Sequence, residues 1–227
     1  MRRIALIGGT VIDGTGAAPR AANVLIDGDA IRAIGPFEPD EDDDVCDATG
    51  LVVAPGFIDI HSHSDFTLLT DPRAVSAIAQ GVTTEIVGNC GYGCAPVIDA
   101  RLASIAIYGA LQGRALHPTT MSDYFARLET AKPAVNVMAL VPNGQLRLGH
   151  VGLRAGPALP DELASMTWSL EAALDAGAAG YSTGLEYAQE AGASQAEVAT
   201  LCRATARAKS PVGHRPTTMV TVVRSAG

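Results

Sequence analysis

The stretch Pro55-Gly56-Phe57-Ile58-Asp59-Ile60-His61-Ser62-His63-Ser64-Asp65 decides how this chain is read. A Pro-Gly turn feeds a short β-branched and aromatic run, and the run ends on two histidines one residue apart. Alternate side chains of an extended segment share a face, so His61 and His63 project the same way and can grip one cation. Neutral imidazole is a good ligand for zinc, and Asp59 and Asp65 are placed to orient the rings by accepting the second ring N–H. A bare His-x-His pair also fits a polar strand end facing solvent, so the rest of the chain has to decide between the two.

Downstream, strand and helix patterns alternate. Asp71-Pro72 reads as a helix start, with Asp as N-cap, Pro at the first helical position and Gly81 closing the helix. A strand over 83–87 ends at Gly88-Asn89-Cys90-Gly91, where glycines let the backbone approach something closely. A helix is expected around 122–130, then a strand over 135–141 ending at Pro142-Asn143-Gly144. Asp161-Glu162 opens a helix that puts Leu163, Met166, Leu170 and Leu174 on one face and stops at Gly177, and a strand over 178–182 follows. Ser194 with Glu197 reads as a capping box, and Val198, Leu201, Cys202 and Thr205 as that helix's buried stripe.

The order βαβαβαβα admits an open doubly wound sheet or a (β/α) barrel. No G-x-G-x-x-G fingerprint follows the first strand. Instead His61, His63, Cys90, Asn143, Ser182 and Thr183 stand at the C-terminal ends of strands, where barrel enzymes assemble their sites.

Upstream, residues 1–53 read as a small β domain, with strands at 4–7, 24–26 and 30–34 and a turn at Gly28-Asp29; no helical period appears. The acidic run Glu38 to Asp44 reads as a solvated loop that repels itself. With 227 residues, 48% hydrophobic and 18% charged, the chain has enough apolar material for a substantial core. A formal net charge of −8 and the lack of a lysine or arginine cluster argue against nucleic-acid binding and for small-molecule chemistry. No apolar run is long enough to span a bilayer and no secretion signal is legible, so the expected location is cytoplasmic, with no membrane partner. There the four cysteines read as free thiols or a metal thiolate rather than a disulfide framework.

Three segments together resemble the amidohydrolase superfamily, in its N-acyl-D-amino-acid deacylase (D-aminoacylase) branch. They are Pro55 to Asp65, Gly81-Val82-Thr83-Thr84 through Gly88-Asn89-Cys90-Gly91, and Gly180-Tyr181-Ser182-Thr183-Gly184-Leu185-Glu186-Tyr187. The opening Gly8-Gly9-Thr10-Val11-Ile12-Asp13-Gly14-Thr15-Gly16 and Asp27-Gly28-Asp29-Ala30-Ile31 resemble that branch's first β domain. The resemblance implies an α/β chain: a β-sandwich-type domain over 1–53, then a partial TIM-like (β/α) metal-dependent hydrolase barrel over 54–227. It implies zinc held by His61, His63 and Cys90, and a small-molecule N-acyl-D-amino acid as substrate. Tyr187 is expected to contact the substrate carboxylate. Glu186 beside it is either a solvated carboxylate or a shaper of side-chain preference. Cys94 and Cys202 are expected in packed positions, and His117 and His150 are not expected to bind metal.

The resemblance fades after about Lys209. His214 falls where a further metal-binding histidine is expected, but Pro216 beside it does not suit a central strand. About 170 residues follow the β domain, against about 250 for a full barrel. The family's general-base aspartate has no counterpart here, and nothing in the closing residues reads as a strand returning to the first domain. The expectation is therefore a truncated deacylase with impaired or no activity, open to self-association through exposed half-barrel edges. The alternatives are an inactive metal-binding fragment and another amidohydrolase such as a cyclic amidase.

Overall fold

The computed structural model describes residues 3–106, 117–208 and 220–224. In chain order the first elements are strands β1 (Ile4–Val11), β2 (Arg20–Asp27), β3 (Ala30–Gly35), β4 (Asp44–Asp47), β5 (Leu51–Pro55) and β6 (Phe57–Asp59). Then come α1 (Val75–Ile78), β7 (Val82–Val87), α2 (Ala100–Ala106), α3 (Met121–Ala131), β8 (Asn136–Pro142), α4 (Asn143–His150), α5 (Pro160–Asp175), β9 (Gly180–Ser182), α6 (Gln195–Arg207) and β10 (Val220–Arg224). They make a sheet with the path β10-β5-β1-β2-β3, off which β4 pairs with β1, and a second sheet in which β6, β7, β8 and β9 follow chain order. The second is the curled parallel sheet of a partial (β/α) barrel, as the family resemblance implied. No described helix is long and apolar enough to cross a membrane.

The chain divides into two compact units. In the first, β1 pairs antiparallel with β2 and parallel with β4 and β5. Leu6, Val11, Val24, Ala48 and Val53 form its core. Gly9 is required there by close approach, since a Cβ on it would stand 2.7 Å from Val53 Cγ2. The β2–β3 hairpin turns on Gly28-Asp29, as the sequence indicates. Strand β4 was not foreseen, and neither was β10, which pairs antiparallel with β5 and so gives the closing residues a place in this sheet.

The acidic run departs from its expected role as a merely solvated loop. Asp43 is buried and accepts from Arg3 Nε at 2.7 Å, and the same guanidinium meets Asp40. One cation therefore offsets the repulsion within the run.

The second unit carries most of the helices. Thr120 caps α3 through a capping box with Asp123, and Met121, Tyr124 and Leu128 are buried. On α5, Met166, Leu170 and Leu174 are buried as the periodicity predicts, joined by Ala173. The Asp71-Pro72 helix start is corrected: Asp71 accepts from the Arg73 guanidinium at 2.7 Å instead of capping a helix, and Ala74 turns left-handed at φ 47°. Ser194 does cap α6, but Glu197 does not return the bond. Nor does Cys202 pack on that helix's inner face; it is exposed, and Leu201, Ala204 and Glu197 are the buried residues.

Glu197 turns inward because Arg147 of α4 meets it. Both side chains are almost wholly buried, with Arg147 Nη1 donating to Glu197 Oε1 at 2.5 Å. Arg147 also donates to the carbonyls of Gln189 at 2.9 Å and Gly156 at 2.8 Å, and Glu197 Oε2 accepts from the Ala158 amide at 2.9 Å. Each guanidinium nitrogen and each carboxylate oxygen of the pair has a partner, which is the condition for burying charge at tolerable cost.

Arg147→Met is expected to lower stability by about 3–5 kcal/mol, because it strands a buried carboxylate and two carbonyls; urea unfolding measures it. In the first unit, the Arg3 guanidinium holds the Asp43 carboxyl below its ordinary value. A lowered folded-state value gives stability that is present above the unfolded value and lost as pH falls through the folded one. The destabilisation caused by Arg3→Met is thus expected to be full at neutral pH and to shrink below about pH 4, in urea titrations across that range.

Candidate metal centre

Strand β6 ends at Asp59, and the chain leaves it in a tight turn. The Asp59 carboxylate accepts from the His61 backbone amide at 3.0 Å, so its bond to His61 is through the main chain. The Ser62 amide donates to the Ile86 carbonyl at 3.1 Å, and Asn89 Nδ2 donates to the Ile86 carbonyl at 2.8 Å and the Ser62 carbonyl at 3.3 Å. These bonds lock the His-x-His segment against the end of β7. The two imidazoles stand with ring centroids 5.4 Å apart at 63°.

Cys90 reaches them from the next turn. Its backbone is left-handed at φ 54°, between Gly88 at 79° and Gly91 at 71°. Such a conformation costs an ordinary residue on the order of 1–2 kcal/mol and persists only when neighbours fix it. Ser182, at the end of β9, does part of that work: its Oγ accepts from the Gly91 amide at 3.2 Å and donates to the Gly88 carbonyl.

The outcome is a Cys90 Sγ 3.1 Å from His61 Nε2, with one ligand atom each from His61, His63 and Cys90 all within 4.8 Å of one another. Two imidazole nitrogens and a sulfur at such separations are a donor set that suits zinc or a similar first-row cation. Burial and the neighbouring His61 hold the His63 ring below the ordinary imidazole value, toward the neutral form that ligates. Burial first, then Glu186 and Glu190, pushes the Cys90 thiol up. A bound cation would reverse that, since it stabilises the thiolate directly.

The other expected site residues take varied places. Asp65 is 3% exposed, and burial pushes its carboxyl up to about 7 although the Gly88 amide bonds it. Tyr187 lies edge-on to Tyr92, ring centroids 4.6 Å apart, within electrostatic reach of Cys90 and Glu186. His150 Nε2 is 2.9 Å from Ser169 Oγ, and His117 is exposed and outside the cluster. Cys94 is buried, as expected of a packing thiol. His214 lies outside the described residues.

Sequence reasoning missed Glu190, Gln189 and the helix α4, all wrapped around the same turn. Glu190 is 1% exposed, and its Oε2 accepts from Asn143 Nδ2 at 2.8 Å and the Gly184 amide at 3.1 Å. Burial raises its carboxyl above the ordinary value. The available signal was indirect: glycines at 88, 91, 144 and 184 sit just beyond successive strands, where backbone has to come close to something.

Known proteins share this fold and much of this sequence. The model of the Amidohydrolase family matches residues 44–226. N-acyl-D-glutamate deacylase of Alcaligenes xylosoxydans xylosoxydans is 41% identical over 199 residues, which is 88% of this chain and 40% of that protein. A D-aminoacylase structure from work on its binuclear metal centre superposes with a TM-score of 0.81 at 38% identity, covering 88% of this chain and 42% of that one. N-acyl-D-glutamate deacylase of Bordetella bronchiseptica, complexed with zinc and a phosphonate mimic of the tetrahedral intermediate, superposes at 0.78 with 36% identity, over 89% and 42% of the two chains. The chain thus spans about two fifths of the length of the relatives it matches.

Gly88 is constrained by backbone, since a Cβ there would stand 2.3 Å from the Leu140 carbonyl oxygen. Gly88→Ala is expected to destabilise the chain by about 1–3 kcal/mol, read as a lower urea midpoint.

Proposed function

Because this chain belongs to the amidohydrolase family, we propose that it carries the metal-binding part of an N-acyl-D-amino-acid deacylase site, with His61, His63 and Cys90 as zinc ligands. The reaction class is hydrolysis of the amide of an N-acyl-D-amino acid to a carboxylate and a free D-amino acid. The observation that supports it is the convergence of two imidazoles and one thiol from the turns after β6 and β7 within 4.8 Å. Polarisation of the amide carbonyl and supply of hydroxide near neutral pH are what zinc contributes when bound.

The chain's own residues have separable tasks. His61 and His63 present ring nitrogens, and Asp59 fixes the His61 backbone through its amide. Cys90 contributes the one anionic ligand of the set, and its thiolate offsets part of the cation's charge. Tyr187, half-buried beside Cys90, is the group proposed to donate its phenol O–H to the substrate carboxylate. Glu186 is exposed next to it, where its charge would disfavour an acidic substrate side chain.

A second reading, metal binding without turnover by this chain alone, has its own support. Among the described residues no carboxylate oxygen joins the three ligand atoms, and amide hydrolysis needs a base toward water and an acid toward the leaving amine. Asp65 is buried and bonded to backbone amides, and Asp59 is engaged by the His61 amide.

Zinc content and hydrolysis of N-acetyl-D-methionine and N-acetyl-D-glutamate, measured on one purified sample with Cys90→Ala alongside, separate these readings. Zinc is expected to bind and to weaken in the variant by at least the roughly 10–100-fold that loss of an outer-shell partner alone costs. Turnover that disappears in Cys90→Ala supports the deacylase; zinc without turnover supports the second reading. Equal zinc affinity in both proteins would rule out Cys90 as a ligand.

A further inference from the structure

The structure assigns to Glu190 the role of a positioning residue for Cys90, acting through the backbone turn that carries the thiol. The assignment rests on Cys90 being a ligand in the proposed centre, and it adds a residue that no sequence motif marks.

Glu190 follows β9 by eight residues yet lies at the turns after three strands. Its Oε2 accepts from Asn143 Nδ2, at the start of α4 after β8, and from the Gly184 amide after β9. The Gly144 amide also faces the carboxylate. Among the described residues its Oε1 has no hydrogen-bond partner, and it rests against Gly91, where an ideal Cβ would stand only 1.6 Å from it. The carboxylate thus closes on the residue directly after Cys90.

The same glycines grip Cys90 from the other side. Gly184 lies so near the Cys90 carbonyl that a Cβ on it would be 2.3 Å from that oxygen, and one on Gly144 would be 2.4 Å from the Gly91 carbonyl. Glu190 holds the amides of those two glycines while bracing Gly91. This supplies what a left-handed, non-glycine Cys90 needs: neighbours that fix φ at 54° and keep Sγ at 3.1 Å from His61 Nε2. An apolar residue at 190 would strand the Gly184 and Asn143 donors. A shorter acid would not reach Gly91.

The test uses the full chain with Cys46→Ser and Cys202→Ser; both cysteines are exposed, whereas Cys94 is buried, so iodoacetamide reports on Cys90. Glu190→Asp keeps the charge but shortens the arm, and Glu190→Gln keeps the length and one acceptor oxygen. In metal-free protein with an unchanged urea midpoint, Glu190→Asp, which keeps the charge, is expected to change the Cys90 alkylation rate about fivefold or more, while Glu190→Gln differs from the parent only through the lost charge, which lets the thiol ionise more readily. With Co²⁺ as probe, Glu190→Asp is expected to lose about tenfold or more in affinity and to weaken the thiolate-to-cobalt absorption band. An alkylation rate and cobalt band that match the parent in folded Glu190→Asp overturn the assignment. A parent that takes up no Co²⁺ overturns the metal reading instead, and the metal-free alkylation comparison still decides the role of Glu190. Should Glu190→Asp not fold, Asn143→Ala removes one of the carboxylate's donors; a changed alkylation rate supports the assignment and an unchanged one overturns it.

Discussion

The left-handed turn from Gly88 to Gly91 is the constraint on which the candidate site depends. A strand that simply ran on would carry Cys90 away from the histidines; left-handed residues on both sides of Asn89, at 88, 90 and 91, reverse it and bring the sulfur to 3.1 Å from His61. Two of the three are glycine, for which the conformation is cheap, and the third is the cysteine itself, for which it is not. The cost at Cys90 is met by hydrogen bonds and close contacts from Ser182, Gly184 and the Gly144–Glu190 pair, reached from the ends of β8 and β9 and the loop beyond β9. A short stretch of backbone is therefore held by the segments that follow two other strands.

That arrangement explains why the unit buries so much polarity. Asn143, Gln145, Arg147, Gln189, Glu190 and Glu197 are each no more than 6% exposed. An apolar filling could match their volume, but it could not accept from the Gly184 amide or donate to the Gln189 carbonyl. Loop backbone brought inside carries its own donors and acceptors, and those have to be paired. Arg147 and Glu197 satisfy the loops at 156–158 and 189, and Glu190 satisfies the turns nearest the thiol. Polar burial here follows from folding irregular segments around a site.

The two units differ in how far their sequences could be read. The hairpin at Gly28-Asp29 and the α5 stripe at Met166, Leu170 and Leu174 were legible because their signals lie within a few residues. Helix α4 was not, since its buried positions Asn143, Gln145 and Arg147 are polar and give no apolar period. Strand β4 was hidden because it begins at Asp44, the last residue of the acidic run, whose charge Arg3, some forty residues earlier, partly offsets at Asp40 and Asp43. Glu197 looked like the second half of a capping box, and Asp71 like a helix cap; each found a stronger partner in an arginine.

By itself the sequence determined the candidate donor types and their spacing, the glycines that free the backbone on either side of Cys90, and the alternation of strand and helix that places these residues at strand ends. All of that is local chemistry, carried by residues a few positions apart. Only the tertiary structure decided which carboxylates are buried and what they hold. Glu190 meets Asn143 across 47 positions and Glu197 meets Arg147 across 50. A carboxylate's protonation, burial and role are set by the groups that surround it in space, and no pattern along the chain encodes a neighbour that distant.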